Sequence, residues 1–514
     1  MSGRPWLPPR RPLPGPEETA AALREVRRVV AEGPFDDTWE SLSGYRVPSW
    51  FRNAKLGIFV HWGAFAVAAH GDEWYPREMY RRGTEIARFH RETFGEPSAS
   101  ADGFGWKDFL PRFTAENLDV TDLAALVRRS GAQYVVPVAE HHDGFALYDE
   151  PRTRWTSLAV GPRRDLLDEL LTAADEQHLV RGASSHRAEH WFYFHPGTGF
   201  DSDVRDPEFA DLYGPAQPQA TGPSEAFCED WLLRTVRIVD RYRPQVLWFD
   251  WWIEHPAFAP WLRLLAAYYY NRAAQWGRSV VLQHKWSAFP PGTALEDVER
   301  GTVAGIPERP WQNDTSVSRT SWGWVEGHVH KTVPHLVAEL LDVTAKNGCL
   351  LLNIGPRADG SVDPRERALL EGLGDWLAVN GEAVYGTRPW TVATEGPNPF
   401  TAGSFTDGTP VEPGPEDLFF TTRTDEGADL LYVSGVRRAD DGIVRVRALG
   451  SATAPGEPPA TVELLGRPGT LEVERTDEAL EVRLPEADPD ALGFALRMTF
   501  PRGDRPHRAL LIPG

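Results

Sequence analysis

Apolar and polar positions follow two different periods along this chain, and the change of period divides it. From Lys55 to about Gly386, short apolar runs alternate with stretches whose apolar residues recur every three or four positions. Leu56–His61, Tyr134–Ala139, Val246–Phe249, Val280–Gln283 and Cys349–Ile354 read as strands. Asp119–Arg129, Glu225–Tyr242 and Val333–Lys346 read as helices. In the second of these, Phe227, Trp231, Thr235, Ile238 and Tyr242 mark one face. Gly348 is expected to end the third as a left-handed cap. Strand–helix alternation sustained over roughly 330 residues predicts a parallel sheet covered by helices, and the length fits a (β/α)8 barrel with long loops. A doubly wound open sheet is the alternative, but no Gly-x-Gly-x-x-Gly stands at a strand–helix junction to support it.

Beyond Pro389 the period becomes two. Asp417–Thr422, Leu430–Val433, Ile443–Leu449, Thr461–Leu465, Leu471–Val473, Leu480–Leu484 and Phe494–Phe500 are short alternating runs separated by Pro, Gly and Asp. They predict an all-β sandwich. The expected organisation is an N-terminal extension over 1–47 with one helix, a (β/α)8-like domain over 48–390 and a β-sandwich over 391–514. The Pro/Arg-rich first 16 residues are expected to be poorly ordered.

Composition narrows the partners. The chain has 514 residues, 41% of them hydrophobic, with 20 Trp, 24 Phe and 13 Tyr, which is too much apolar material for one ordinary core. A formal charge of -20 repels nucleic acid and anionic membrane, so a neutral or cationic partner is expected. No apolar run reaches the roughly 18 residues a membrane span needs. The N-terminus carries charge without an apolar segment behind it, so no secretory signal is read and the chain as given is expected in the cytoplasm. The two cysteines, Cys228 and Cys349, fall at apolar positions and read as small buried hydrophobes rather than a disulfide framework. The oligomeric state is left open, a homo-oligomer included.

Three clusters combine hydrogen-bonding groups with flat aromatics. They are Phe59-Val60-His61-Trp62-Gly63 with Asp72-Glu73-Trp74-Tyr75-Pro76, then Glu140-His141-His142-Asp143-Gly144-Phe145, then Gln245-Val-Leu-Trp248-Phe249-Asp250-Trp251-Trp252. Sugars need this mixture: directional partners for hydroxyls and apolar surface for C–H faces. Aspartate is costly to bury unpaired, so Asp250 at the end of an apolar strand suggests a carboxylate facing a ligand. A capped strand end or a buried ion pair is the bland alternative. Metal ligation by His141-His142 is disfavoured because adjacent residues in an extended segment point to opposite faces. No Cys-x-x-Cys or His-Glu-x-x-His is present, and no metal or cofactor is expected. Glycoside hydrolysis by two carboxyls needs a second acid besides Asp250, and the pattern does not choose among Glu296, Asp297 and Glu299.

Taken in order, Ala54-Lys55-Leu56-Gly57-Ile58-Phe59-Val60-His61-Trp62-Gly63, Glu73-Trp74-Tyr75-Pro76, His141-His142-Asp143-Gly144-Phe145, Arg164-Asp165-Leu166, Leu247-Trp248-Phe249-Asp250, Ser321-Trp322-Gly323-Trp324 and the run Asn347–Pro356 with Asp359-Gly360 resemble the α-L-fucosidases of glycoside hydrolase family 29. The resemblance covers about residues 48–390. It implies a retaining exo-glycosidase that removes terminal α-L-fucose from a fucosylated oligosaccharide or glycan. Asp250 matches the nucleophile, and Glu299 is the choice for general acid/base, with Glu296 the runner-up. The resemblance places His61, Glu73, Trp74, His141 and His142 on the fucose hydroxyls. Lys285 falls where several members have arginine, keeping the charge but not the fork geometry. Phe59, Trp248 and Trp322 match an apolar wall for the C6 methyl. Two departures stand out. Gly182–Arg187 lacks a tyrosine common there, so Ser185, His186, Glu189 and His190 are expected on the acceptor side. The loop carrying Glu299, ending Pro310-Trp311-Gln312-Asn313-Asp314, keeps amides where an acid is common. A fucose-binding protein without catalysis, and a glycosidase for a fucose-like sugar such as L-galactose, are the competing readings.

Overall fold

The computed structural model describes residues 6–501 except 11, 101, 409–410, 426–427, 455 and 487–491. Eight parallel strands close into a barrel in sequence order: β1 (Leu56–Val60), β2 (Tyr134–Glu140), β3 (Val180–Ser185), β4 (Val246–Phe249), β5 (Val281–Lys285), β6 (Leu295–Glu299), β7 (Trp311–Ser316) and β8 (Gly348–Ile354), with β8 pairing back to β1. An open doubly wound sheet is thereby ruled out. Side chains alternate across each strand. Phe59, Tyr134, Val136, Val138, Val246, Trp248, Val281, Leu295, Cys349 and Leu351 pack together as one group, and Ile58, Val60, Val135, Leu350, Leu352 and Ile354 pack in another with the surrounding helices. The first group fills the barrel, so its interior is a packed core and the polar chemistry is pushed to the strand ends.

The long helices run as the apolar spacing predicts, over Val120–Arg129, Glu225–Tyr242 and Val333–Ala345. Asp119 caps the first through the backbone N–H groups of Thr121 and Asp122. The third does not end on a left-handed Gly348. Asn347 takes the left-handed conformation at φ 67, and its amide donates to the carbonyls of Pro307 and Glu308 at 3.1 and 3.2 Å. Gly348 instead opens β8, where a Cβ would fall 2.6 Å from Val343 Cγ1 and 2.9 Å from Trp311; close approach is what needs the glycine.

Three barrel strands were not apparent as strands from the apolar pattern: β3, β6 and β7. Each carries polar residues that are buried in the fold, among them Ser184, Asp297, Gln312, Asn313 and Asp314. Glu299 is accordingly the last residue of a barrel strand and not part of a loop. Among the described residues no helix separates β5 from β6 or β6 from β7, so the barrel is irregular on this side.

Residues 1–5 and 11 of the segment expected to be poorly ordered lie outside the described residues. The rest of the extension is docked. The Pro8 carbonyl accepts from buried Arg154 at 3.1 Å, and the helix Pro16–Glu32 buries Val26, Val29 and Val30 against the helix Ala259–Trp276. After the barrel, β9 (Arg388–Glu395), β10 (Leu418–Asp425), β11 (Ala428–Gly435), β13 (Thr461–Leu464) and β16 (Phe494–Pro501) form one antiparallel sheet, and β12 (Ile443–Val446), β14 (Val473–Arg475) and β15 (Leu480–Arg483) form a second. Phe420, Val433, Leu496 and Met498 of the first meet Val444, Val446, Leu480 and Val482 of the second, the inner faces of a sandwich. Cys228 and Cys349 are both buried and free. No helix among the described residues is long and apolar enough to cross a membrane.

Candidate active site

At the C-terminal end of the barrel, the strand ends surround a pocket of about 250 Å³, a little under the roughly 300–1,000 Å³ usual for small-ligand sites. Asp250, directly after β4, stands in it. Its Oδ2 accepts from His186 Nδ1 at 2.7 Å, and its Oδ1 accepts from the Trp251 backbone N–H at 2.9 Å. His186 follows β3, the neighbouring strand, and its Nε2 meets the Ser184 hydroxyl at 2.9 Å. Nδ1 donates to the carboxylate, and Nε2 is held by the Ser184 hydroxyl on the far side of the ring. Burial alone would raise Asp250. The hydrogen bond from His186, with the charges of His186, His142 and Lys285, overcomes it and holds the carboxyl well below the usual carboxylate range.

Glu299, at the end of β6, behaves in the opposite way. Its Oε2 accepts from Trp251 Nε1 at 2.7 Å and lies 3.3 Å from Lys285 Nζ. Burial pushes its pKa up, Lys285 opposes, and the charge of Asp250 adds to the rise; the balance is a raised pKa. One pocket therefore holds one carboxyl pushed down and another pushed up, the environment split that separates a nucleophile or base from an acid. Glu296, three residues earlier on the same strand, is exposed and does not line the pocket.

The remaining residues named from sequence fall into two groups. His61, Glu73, Trp74, His141, His142, Trp248 and Trp322 all line the pocket. Both histidines of the adjacent pair do so, against the expectation from an extended segment, because β2 stops at Glu140 and the chain turns at His142-Asp143. His142 Nδ1 donates to the His186 carbonyl at 2.9 Å, which leaves Nε2 as an acceptor 3.5 Å from Asp250 Oδ2. Asn353 donates its amide to Ser316 Oγ and the Trp322 carbonyl, so its Oδ1 accepts from His61 Nδ1 at 2.9 Å. That again leaves Nε2 bare. Burial lowers His61 and His141 well below the usual imidazole range and brings His142 to about 4. Glu73 Oε2 accepts from the Trp322 N–H at 2.9 Å and from Ser321 Oγ at 3.2 Å.

Phe59 and Lys285 are not among the lining residues. Phe59 sits behind the wall, 4.2 Å from the His61 ring and 4.8 Å from Trp248. Lys285 is buried beneath it, paired with Asp297 at 2.9 Å and Asp314 at 2.5 Å, and these acids overcome the burial penalty to raise its pKa.

Comparison with known proteins gives the family. A family model described as α-L-fucosidase matches residues 22–382. The chain belongs to the α-L-fucosidase family. It is 31% identical to mouse tissue α-L-fucosidase over 72% of this chain and 78% of that one, and 30% identical to human plasma α-L-fucosidase over 69% and 73%. The solved structure of Thermotoga maritima α-fucosidase in complex with fucose superposes with a TM-score of 0.70 at 26% identity, covering 90% of this chain and all of that one. As a member of this family the chain is a glycoside hydrolase.

Against that family background, the segment after β3 needs correction. Of the four residues expected on the acceptor side, His186 is the partner of Asp250. His190 is buried behind the pocket, donating from Nδ1 to the His142 carbonyl at 2.9 Å. Ser185 is buried and does not line the pocket, whereas Glu189 does. Glu189 Oε1 lies 3.7 Å from His142 Nδ1, its Oε2 has no hydrogen-bond partner among the described residues, and burial followed by the Asp250 charge raises it well above the usual range. Asp72, which burial raises to about 7, and Asp314 also face the pocket and carried no signal beyond their place in quoted motifs. Two triads, His61–His141–His186 and His142–His186–Asp250, hold ligand atoms within 4.8 Å of one another. His186 is shared by both, and its two nitrogens are already taken by Asp250 and Ser184.

Proposed function

We propose that this protein is an exo-acting α-L-fucosidase that releases terminal α-L-fucose from fucosylated oligosaccharides or glycans with retention of configuration. The observation that carries it is the pairing of a depressed Asp250 with a raised Glu299 in one pocket lined by His61, Glu73, Trp74, His141 and His142. In this reading Asp250 attacks the anomeric carbon while Glu299 donates its proton to the departing oxygen. A fucosyl ester forms on Asp250. Ionised Glu299 then takes a proton from water, which attacks the ester carbon and returns the first configuration. The bare Nε2 atoms of His61 and His142 accept from sugar hydroxyls. Trp248 and Trp322 offer the apolar surface a C6 methyl needs, with Phe59 supporting them from behind. The packed barrel core closes the pocket from below, which favours a chain end over a chain interior. The test is proton NMR of fucose released from an aryl α-L-fucoside. The α anomer is expected first; the β anomer would mean inversion, and fucose binding without any release would favour the non-catalytic reading.

His186 has a separable signature. His186→Ala removes the donor that lowers Asp250 and leaves burial unopposed by it, so the Asp250 pKa rises. Turnover needs the ionised form, so activity is lost as pH falls through that pKa. The acid limb of the kcat/KM profile is therefore expected to move to higher pH in the variant, with kcat down roughly tenfold to a hundredfold. An unmoved acid limb would exclude this role.

A further inference from the structure

The catalytic reading leaves one edge of the pocket unexplained, where Trp251 and Phe405 line it and Trp286 lies just outside. Trp286 and Phe405 are 50% and 49% exposed, unusual for large apolar rings, and both pack on Trp251. Trp286 stacks on Trp251 at 4.9 Å with the planes 28° apart, and Phe405 meets the same indole edge-on at 5.5 Å. Trp251 is the residue whose indole N–H holds Glu299. Both exposed rings sit on left-handed backbone, φ 48 for Trp286 and φ 57 for Phe405, a costly conformation for residues with a Cβ.

Phe405 does not come from the barrel. It lies between β9 and β10 of the sandwich, and its segment is fastened to the residues that follow β6. The Phe405 N–H donates to the Glu299 carbonyl at 2.9 Å, and the Gly403 N–H donates to the Thr302 carbonyl at 2.8 Å. Asp407 pairs with Arg300 at 3.1 Å and with buried Lys331 at 2.9 Å, and it accepts from Thr315 Oγ1 at 2.8 Å. A charged anchor thus holds an apolar ring in water beside the carboxyl proposed as proton donor. Exposed apolar rings held in this way are the expected form of a binding surface.

Their position says what they bind. Glu299 must touch the glycosidic oxygen, so the group attached to that oxygen lies against the rings around Glu299. Flat aromatics suit the C–H face of a pyranose, and a chain of charge -20 disfavours an anionic leaving group. We propose that Trp251, Trp286 and Phe405 form a leaving-group subsite for a neutral pyranose, completed by the sandwich domain; this rests on the fucosidase reading above.

The test compares kcat/KM for fucosyl disaccharides with that for methyl α-L-fucoside, whose leaving group needs the same proton but offers no ring. The disaccharide is whichever of the α1,2-, α1,3-, α1,4- and α1,6-linked forms the full-length wild type cleaves fastest. Trp286→Ala and Phe405→Ala are each expected to lower the disaccharide-to-methyl ratio about tenfold. Trp286→Tyr, which keeps a ring, is expected to retain most of it. An unchanged ratio in both alanine variants overturns the proposal. So does a wild type that prefers octyl α-L-fucoside to every disaccharide, which would mark the surface as an alkyl site. A wild type that cleaves methyl fucoside but no disaccharide defeats the subsite alone, and one that cleaves no fucoside defeats the catalytic reading with it.

Discussion

Asp250→Gly is expected to lower kcat on an aryl α-L-fucoside by about 10⁴-fold or more, because the proposed covalent step loses the carboxylate that would form the ester. The loss should fall on kcat more than on KM, since His61, Glu73, His141 and His142, the proposed hydroxyl partners, are kept. Removing the carboxylate also removes the acceptor of His186, but that side chain keeps Ser184 as a partner, so a folded variant is expected. Circular dichroism checks this before kinetics are read. Azide fits the space vacated by the carboxylate and attacks from the same side as Asp250, so added azide is expected to restore turnover and yield β-L-fucosyl azide. Full activity in the variant would reassign the nucleophile. Rescue giving the α azide would break the retaining mechanism even if Asp250 proved essential.

Glu299→Ala is expected to divide substrates by their need for a proton. Methyl α-L-fucoside, with a strongly basic leaving oxygen, should lose roughly 10²–10⁴-fold in kcat/KM. A dinitrophenyl fucoside, whose leaving group departs unaided, should lose far less in its first step and accumulate the fucosyl ester. The pH profile gives the second signature. As the proposed acid Glu299 would have to be protonated in the free enzyme, and burial with the Asp250 charge raises its pKa, so activity is expected to fall as pH rises through that value. The alkaline limb should vanish in the alanine variant. Equal loss on both substrates would leave Glu299 a purely structural role as the partner of Trp251 and Lys285. Glu296→Ala should leave both substrates within about twofold, because that side chain is exposed outside the pocket.

What could be read from the chain follows the physics of each element. β1, β2, β4, β5 and β8 were legible because burial on both faces of a parallel sheet demands continuous apolar runs, and the long helices because one face must be apolar at helical spacing. β3, β6 and β7 were not legible. In β6 and β7, Asp297 pairs with Gln312 and Glu299 with Asp314, and these polar groups are satisfied by Lys285 and by each other across the barrel. A strand whose polar side chains find partners only in the closed barrel has no apolar signature to display beforehand. The same cause hid His186. Its local context, Ser-Ser-His-Arg, carries no sign of a carboxylate partner 64 positions away, because β3 and β4 become neighbours only on folding.

The sequence by itself determined the fold class, the order of the domains and most of the pocket. Period and turn chemistry are local properties, and the motifs that bear chemistry sit at strand ends that the barrel must gather at one mouth. Tertiary structure alone decided which residues face in. It turned both His141 and His142 to the pocket, withdrew Phe59 behind the wall and Lys285 beneath it, separated Glu299 from Glu296, and brought Phe405 from the sandwich to the rim. These are questions of register, burial and long-range pairing. They are answered by which groups a closed barrel leaves desolvated and which partners it then supplies, and no local pattern encodes that.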